Sequence, residues 1–126
     1  MDFGFLKRIL IEFLIFKMKV TKYIYSIHSE YRNENGRLHR EDGPAIEYDD
    51  GSEEWFLNGK YHRENGPAII YIGSYKSWCN HGKYHRLDGP AVDYDNGEKK
   101  WFLNGKHISV NSQKEFERYL KLIIFQ

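Results

Sequence analysis

The sequence predicts a mainly β protein: an elongated antiparallel β-meander of about 3.5 repeats of 23 residues, with an N-terminal helix and a C-terminal capping helix. The main observation is a seven-residue motif, His-Arg-x-(Asp/Asn)-Gly-Pro-Ala, whose three copies begin at His39, His62 and His85. All three prolines and all three alanines of the chain lie in these copies. The chain's three tryptophans keep the same 23-residue spacing, at Trp55, Trp78 and Trp101. Such a recurrence is typical of a tandem-repeat protein.

Tight-turn dipeptides divide each repeat into two short strands. Asn-Gly between apolar runs is a strong hairpin signal, because a type I′ turn needs a positive φ at both central residues. Such turns are predicted at Asn35-Gly36, Asn58-Gly59 and Asn104-Gly105. Asp50-Gly51 and Asn96-Gly97 predict a second turn elsewhere in the repeat. Together with an aromatic content of 17%, these turns favour a meander that grows in one direction.

The turn lengths predict which side chains share a face of the sheet. A two-residue loop at Asp50-Gly51 places Ile46 opposite Trp55. A two-residue loop at Asn58-Gly59 places Trp55 opposite His62. Because side chains alternate along a strand, one face is then expected to carry an aromatic and aliphatic stripe of Ile46, Tyr48, Trp55, Leu57 and His62. Three-residue loops would shift the register and change these faces.

The Gly-Pro-Ala end of the motif predicts where the chain re-enters the sheet. Proline cannot donate to a strand ladder, so we expect it at the start of a strand. The alanine is expected where neighbouring copies approach each other closely. Asp42, Asn65 and Asp88 can hydrogen-bond to their own backbone in Asx-type turns.

Residues 1–29 precede the repeats and are predicted to hold an amphipathic helix and a first strand. Apolar residues recur at helical spacing over residues 3–17, opposite a charged face. This helix is expected to pack on the sheet; the alternative is that it lies on a membrane surface. Glu12 and the flanking lysines argue against a signal peptide or a membrane span, and Met18 is an alternative start. Residues 21–28 are β-rich and predict the first strand.

Residues 109–126 are predicted to form a helix that caps the last repeat. The segment from Ser112 to Glu115 matches a capping box, and apolar residues follow at helical spacing from Phe116 to Ile124. An open array of repeats exposes a last strand, which invites edge-to-edge association. Capping is therefore the expected role of this helix, and its presentation to a partner is the alternative.

Composition argues against several kinds of function. The formal net charge of +1 gives no general electrostatic case for nucleic acid. The single cysteine, Cys79, cannot form an internal disulfide or a cysteine-based zinc site, and it fits a reducing, cytoplasmic compartment. The sequence contains no nucleophile elbow, phosphate-binding loop or metalloprotease motif. We therefore predict no catalytic residues, no cofactor and no metal, and we do not expect an enzyme.

The recurring histidines, arginines and tryptophans are the candidate binding residues. They are His39, Arg40, His62, Arg63, His85, Arg86, Trp55, Trp78 and Trp101. In one interpretation the His-Arg pairs form a ladder that binds phosphate, a carboxylate-bearing peptide or a metal. In the other they are framework, with each histidine stacked on a tryptophan and each arginine paired with Asp42, Asp88 or a carbonyl. A shared zinc is disfavoured, because equivalent residues would lie about two strand spacings, ~10 Å, apart.

The motif resembles that of a known repeat family. Gly-x-(Leu/Tyr)-His-Arg-x-(Asp/Asn)-Gly-Pro-Ala, with Trp-Phe-Leu-Asn-Gly-Lys, is similar to the variant MORN (membrane occupation and recognition nexus) repeats that are abundant in giant DNA viruses and bacteriophages. The resemblance covers residues 31–107. It implies β-hairpin repeats over residues 30–108, a role in binding, and no general enzymatic activity.

The function predicted from these observations is protein–protein interaction through an exposed face of the repeat sheet. A viral protein that acts on a host factor in the host cytoplasm would fit the resemblance. One alternative is association with a membrane surface through residues 3–17. Another is binding of a small ligand or phosphate by the His-Arg ladder. Nucleic acid is not an expected partner.

Overall fold

The computed structural model describes residues 19–125, which form a mainly β structure with one helix. The predicted N-terminal helix over residues 3–17 and the alternative start at Met18 lie outside the described residues. Within the described part of the chain, no helix is long and apolar enough to cross a membrane.

Thirteen short strands and one helix are found in residues 19–125. In chain order the strands are β1 Thr21–Ile24, β2 His28–Arg32, β3 Ile46–Tyr48, β4 Glu53–Glu54, β5 Phe56–Leu57, β6 Lys60–Tyr61, β7 Ile69–Tyr71, β8 Tyr75–Ser77, β9 Cys79–Asn80, β10 Lys83–Tyr84, β11 Val92–Tyr94, β12 Lys99–Leu103 and β13 Lys106–Ile108. The helix, α1, spans Gln113–Ile124. Nine strands form one antiparallel sheet in the order β1-β2-β3-β4-β7-β8-β11-β12-β13. The predicted antiparallel meander is therefore confirmed.

The predicted first strand over residues 21–28 is shorter in the structure. β1 ends at Ile24, and a tight turn then reverses the chain. The Tyr25 N–H closes this turn by donating to the His28 carbonyl at 2.8 Å. His28 then begins β2, which pairs with β1. The stretch predicted as one strand therefore holds β1, the turn and only the first residue of β2.

Beside the first two tryptophans, the chain leaves the main sheet and forms a small hairpin. β5 pairs with β6, and β9 pairs with β10. The turn between β5 and β6 has positive φ at Asn58 (49°) and Gly59 (79°), as a type I′ turn requires. Asn104-Gly105 adopts the same conformation, and so does His81-Gly82, a turn that the Asn-Gly rule does not predict. At Asn35-Gly36 only the glycine has a positive φ, so a type I′ turn there is a wrong prediction.

The turns at the other end of these strands have three residues instead of the predicted two. The loop at Asp49–Gly51 is closed by the Tyr48 N–H, which donates to the Ser52 carbonyl at 3.0 Å. Gly51 has a φ of 88°. The Asp50 carboxylate accepts the Ser52 N–H at 2.8 Å, which stabilises the longer turn. The loop at Asn96-Gly97 closes in the same way.

The extra loop residue shifts the strand register by one. Ile46 lies opposite Glu54, not opposite Trp55 as predicted. Trp55 is therefore on the other face from Ile46 and Tyr48, and the predicted single stripe is wrong. The pairing across the next turn is confirmed, because the His62 N–H donates to the Trp55 carbonyl at 3.0 Å.

The sheet consequently has two chemically different faces. One face, which we call the tyrosine face, carries Tyr48, Tyr71, Tyr75 and Tyr94 beside a row of cross-strand neighbours: Glu30, Ile46, Glu54, Ile69, Ser77 and Val92. The other face, which we call the arginine face, carries the tryptophans and the side chains that cover them: Trp55, Trp78 and Trp101 with Arg63, Arg86 and α1.

The motif alanines lie where adjacent strands meet. Ala45, Ala68 and Ala91 are all fully buried. The Ala45 carbonyl accepts the Tyr31 N–H at 2.7 Å, and its own N–H donates to the Glu54 carbonyl at 2.8 Å. Three consecutive strands are thus joined at one alanine, as its small size predicts.

Helix α1 covers the end of the arginine face. Its N-cap is Ser112, whose hydroxyl accepts the Glu115 N–H at 3.2 Å, as in the predicted capping box. Phe116 is fully buried and packs against Trp101 and Ile108. The apolar residues that follow at the end of the helix remain exposed: Leu122, Ile123, Ile124 and Phe125.

Candidate binding surface

Each motif arginine stacks on an aromatic ring of its own copy. The Arg63 guanidinium carbon lies 3.8 Å from the Trp55 ring centroid, and Arg86 lies 3.8 Å from that of Trp78. In the first copy Arg40 lies 4.1 Å from the Tyr31 ring. These are close cation–π contacts. The prediction that the histidines stack on the tryptophans is wrong, because in residues 19–125 the arginines take that position.

The Gly-Pro segment of each motif folds around the arginine. The Nη1 groups of Arg40, Arg63 and Arg86 donate to the carbonyls of Pro44, Pro67 and Pro90 at 3.2, 3.1 and 3.2 Å. The guanidinium passes directly over the preceding glycine. A Cβ at Gly43 would lie 2.6 Å from Arg40 Cζ, which explains why the motif needs glycine there.

The motif histidines connect successive copies. The Nδ1 atoms of His39, His62 and His85 accept the backbone N–H groups of Asn58, His81 and Asn104 at 2.9, 3.1 and 3.0 Å. Each acceptor therefore satisfies a donor in the type I′ turn of the following hairpin. This geometry requires a neutral imidazole with its proton on Nε2. The histidine ladder is a set of links along the sheet.

Two of the arginines also form ion pairs within their own copy of the repeat. Arg40 Nε lies 3.1 Å from Asp42 Oδ1, and Arg40 Nη1 lies 2.9 Å from Glu47 Oε1. Arg86 Nε lies 2.8 Å from Asp88 Oδ1. The predicted pairing of arginines with Asp42, Asp88 and nearby carbonyls is confirmed at these two copies.

Open grooves separate the successive His-Arg loops on the arginine face. A groove of about 450 Å³ lies between the first and second loops, where its lining includes Arg40, Trp55 and Leu57. A groove of about 760 Å³ lies between the second and third loops, where its lining includes Trp78 and Leu87. Four consecutive residues of the second loop line both grooves: His62, Arg63, Glu64 and Asn65. The central loop is thus a ridge between two depressions.

Not every candidate residue lies on this open surface. Trp55, Trp78, His62, His85 and the three arginines line one or both of these grooves. Trp101 does not line them: it is only 3% exposed, and its Nε1 donates to Gln113 Oε1 of α1 at 3.0 Å. His39 does not line them either. The 23-residue spacing of the tryptophans alone does not distinguish the covered one from the two accessible ones.

A second polar cluster lies on the tyrosine face and was not predicted. The Glu54 carboxylate is 5% exposed and accepts hydrogen bonds from the hydroxyls of Tyr48 at 3.1 Å, Tyr61 at 3.0 Å, and Tyr71. Burial and the negative charge of Glu54 raise the pKa values of Tyr61 and Tyr71, so both remain donors. The tyrosines at positions 48, 71 and 94 do keep the 23-residue spacing. Glu54 has no such signal, because Ser77 and Lys100 stand at the equivalent positions.

The described residues offer little for metal binding or covalent chemistry. In residues 19–125 no group of three or more His, Cys, Asp or Glu side chains could hold a metal ion. Burial raises the pKa of the Cys79 thiol to about 11, so the thiol stays protonated and unreactive at neutral pH. The His81 ring is occupied in a contact with His62, at 4.3 Å between centroids.

No protein-family model, curated protein or solved structure matches the chain. The resemblance to variant MORN repeats therefore rests on the motif residues themselves.

Proposed function

We propose that this chain is a non-enzymatic binding module that takes a protein partner in the two grooves of its arginine face. The observation that carries the proposal is the pair of adjacent grooves, which share the ridge around Arg63 and are lined by aromatic, apolar and hydrogen-bonding side chains. Tryptophan and arginine are the residue types that contribute most to protein interfaces. Two grooves in line suit an extended segment of a partner.

The rigidity of this surface supports the same proposal. Each groove wall is fixed by an arginine that stacks on a ring and donates to a proline carbonyl. Side chains that are already ordered lose little conformational entropy when a partner binds. The motif histidines that line the grooves, His62 and His85, use Nδ1 to accept backbone N–H groups of the next hairpin, which favours binding over catalysis.

The resemblance of the predicted repeats, about 3.5 in number, to variant MORN repeats also favours a binding role. By extension it suggests a viral protein that acts on a host factor in the host cytoplasm. The single cysteine is buried, which fits a reducing compartment.

The test uses two matched leucine and isoleucine positions. Leu87 lines the larger groove and is 60% exposed, whereas Ile72 is equally exposed, at 60%, in the loop between β7 and β8. Full-length protein, Leu87→Asp and Ile72→Asp are used to capture proteins from host-cell lysate, with identification by mass spectrometry. We expect a partner that is retained by Ile72→Asp and lost with Leu87→Asp. Equal capture by both variants would show that the groove is not the binding site.

A truncated chain of residues 18–126 belongs in the same series. Capture by the full chain alone would move the binding site to residues 1–17. Co-sedimentation of both chains with anionic liposomes then tests membrane association through residues 3–17. If neither chain binds a protein or a liposome, a thermal-shift screen with phosphate and small carboxylates tests the ligand alternative.

A further inference from the structure

Arg63 differs from the other two motif arginines in its charge environment. Arg40 and Arg86 each have a motif aspartate at their Nε atom, 3.1 and 2.8 Å away. The hydrogen bond from Arg86 holds the pKa of Asp88 below its ordinary value, as a matched ion pair does. Among residues 19–125, no carboxylate lies within 4.0 Å of the Arg63 guanidinium.

Two sequence differences explain the missing carboxylates. Asn65 stands where the first and third copies have Asp42 and Asp88. Ile70 stands where the first copy has Glu47, the second carboxylate partner of Arg40. An asparagine is isosteric with aspartate but carries no charge, and an isoleucine cannot accept a hydrogen bond.

The second copy keeps the aromatic stacking of its arginine and the hydrogen bond to the proline carbonyl. Arg63 donates to the Pro67 carbonyl at 3.1 Å and stacks on Trp55 at 3.8 Å, as Arg86 does on its own partners. A Cβ at Gly66 would lie 3.0 Å from Arg63 Cζ, so the glycine leaves room for the guanidinium. Arg63 is therefore a preorganised, permanently charged group whose Nε donor has no anionic partner in the described chain. It lies at the ridge shared by both grooves.

We propose that Arg63 binds a carboxylate of the partner, supplied by an acidic residue of an extended segment that lies across the ridge and places apolar neighbours in the two grooves. This inference rests on the proposed function and names the chemistry of its partner. Asp42 and Asp88 show the position that the carboxylate oxygen would take, about 3 Å from Nε, and they act as internal stand-ins for the partner group.

A carboxylate fits this site better than a phosphate group does. In the first and third copies, one aspartate oxygen accepts the hydrogen bond from the arginine Nε. Glu64, exposed beside Arg63, would repel a doubly charged phosphate more strongly than a singly charged carboxylate. Trp55, Trp78 and the leucines of the grooves provide apolar contacts for flanking residues of a peptide.

The direct test follows the arginine Nε–H signals of the full-length protein by NMR. The probe is glutamate blocked at both its amino and carboxyl termini, with blocked glutamine as the uncharged control and inorganic phosphate as the competing anion. We expect a saturable shift of the Arg63 signal with blocked glutamate and smaller shifts of the Arg40 and Arg86 signals. Equal shifts of all three signals, or tighter binding of phosphate than of glutamate, would overturn the proposal.

Two exchanges between the copies provide matched variants. Asn65→Asp gives Arg63 its own carboxylate, as in the sibling copies, so the fold should tolerate it and the melting temperature should not fall. We expect it to weaken the binding of blocked glutamate by about tenfold or more, since a charge-assisted hydrogen bond is lost. Asp88→Asn removes the carboxylate of Arg86 and should confer the glutamate-dependent shift on that arginine. If neither exchange changes the shifts, the carboxylate inference is wrong.

Lysate capture separates this inference from the proposed function. Loss of the partner with both Leu87→Asp and Asn65→Asp supports both proposals. Loss with Leu87→Asp alone leaves the groove as the binding site and refutes the role of Arg63. The third outcome is that the Arg63 signal responds to glutamate but neither variant changes the capture of the partner. This outcome supports the anion site and refutes the proposed function of the grooves.

Discussion

Phe116 packs against Trp101, whereas an arginine stacks on each of the other two tryptophans. The two rings lie 6.4 Å apart, and Trp101 is only 3% exposed. In the last, partial copy Ile108 and Ser109 stand at the positions of the motif histidine and arginine, so no arginine follows to stack on this ring. The helix supplies the missing cover and ends the array with a small apolar core.

Phe116→Ala should therefore destabilise the protein strongly. Phe116 is fully buried, and removal of a buried phenylalanine ring costs about 3–5 kcal/mol. Urea unfolding followed by tryptophan fluorescence measures the change in the free energy of unfolding. Leu122→Ala is the control on the same helix, because Leu122 is 67% exposed and should change stability by less than about 0.5 kcal/mol. Similar losses for both variants would show that the helix does not cover Trp101 in solution.

Gly89→Ala tests how tightly the motif folds around its arginine. A Cβ at Gly89 would lie 2.7 Å from Arg86 Cζ. We expect the substitution to cost ~1–3 kcal/mol, as overpacking typically does. In an Arg86→Ala background the obstacle is gone, so the same substitution should cost much less. A double-mutant cycle of urea unfolding measures the coupling. An equal cost in both backgrounds would mean that the guanidinium is not what the glycine accommodates.

The sequence predicts the repeat, the meander, most turns and the last helix, because these depend on local chemistry that recurs at a fixed spacing. Asn58-Gly59 predicts its turn since asparagine and glycine accept a positive φ. His81-Gly82 forms the same turn without that signature. Histidine adopts a positive φ less readily than asparagine, but the His81 N–H is held by a hydrogen bond to His62 Nδ1.

The faces of the sheet and the partners of the motif side chains are harder to predict. Asp50-Gly51 is compatible with a loop of two or three residues, and the choice depends on the bond between Asp50 and Ser52. The one additional loop residue decides whether Trp55 lies beside Ile46 or on the opposite face of the sheet. The stacking of Arg63 on Trp55, and the absence of a carboxylate beside it in residues 19–125, become visible only once the register is known.

His62 should make the stability of the protein depend on pH. Burial, and then the charge of the nearby His81, lower the pKa of His62 from its ordinary value of 6.5, while Glu64 and Asn80 act in the opposite sense. Because the folded state binds this proton less readily than the unfolded state, the stabilisation is fully present above pH 6.5 and is lost as the pH falls through the lowered pKa. Protonation of Nδ1 would also remove the acceptor of the His81 N–H.

The measurement is the free energy of unfolding in urea between pH 7.5 and pH 5. His62→Asn keeps an acceptor near the position of Nδ1 but does not titrate, so it should flatten the part of the pH dependence that starts near 6.5. If the variant and the wild type lose stability in parallel over this range, His62 is not the titrating group.

Glu54→Gln should weaken the tyrosine face and change the alkaline titration of its tyrosines. Three hydroxyls share the buried Glu54 carboxylate, and loss of this charged acceptor should cost ~1.5–3 kcal/mol in urea unfolding. Burial and the Glu54 charge raise the pKa values of Tyr61 and Tyr71 above 10.0, so their contribution to stability is present below pH 10.0 and is lost as the pH rises further. Without that charge, tyrosinate absorbance should begin to rise at a lower pH. Glu98→Gln is the control: the Glu98 side chain is exposed, so this variant should leave the onset of tyrosinate absorbance unchanged. If Glu54→Gln also leaves that onset unchanged, the role assigned to the Glu54 carboxylate is refuted.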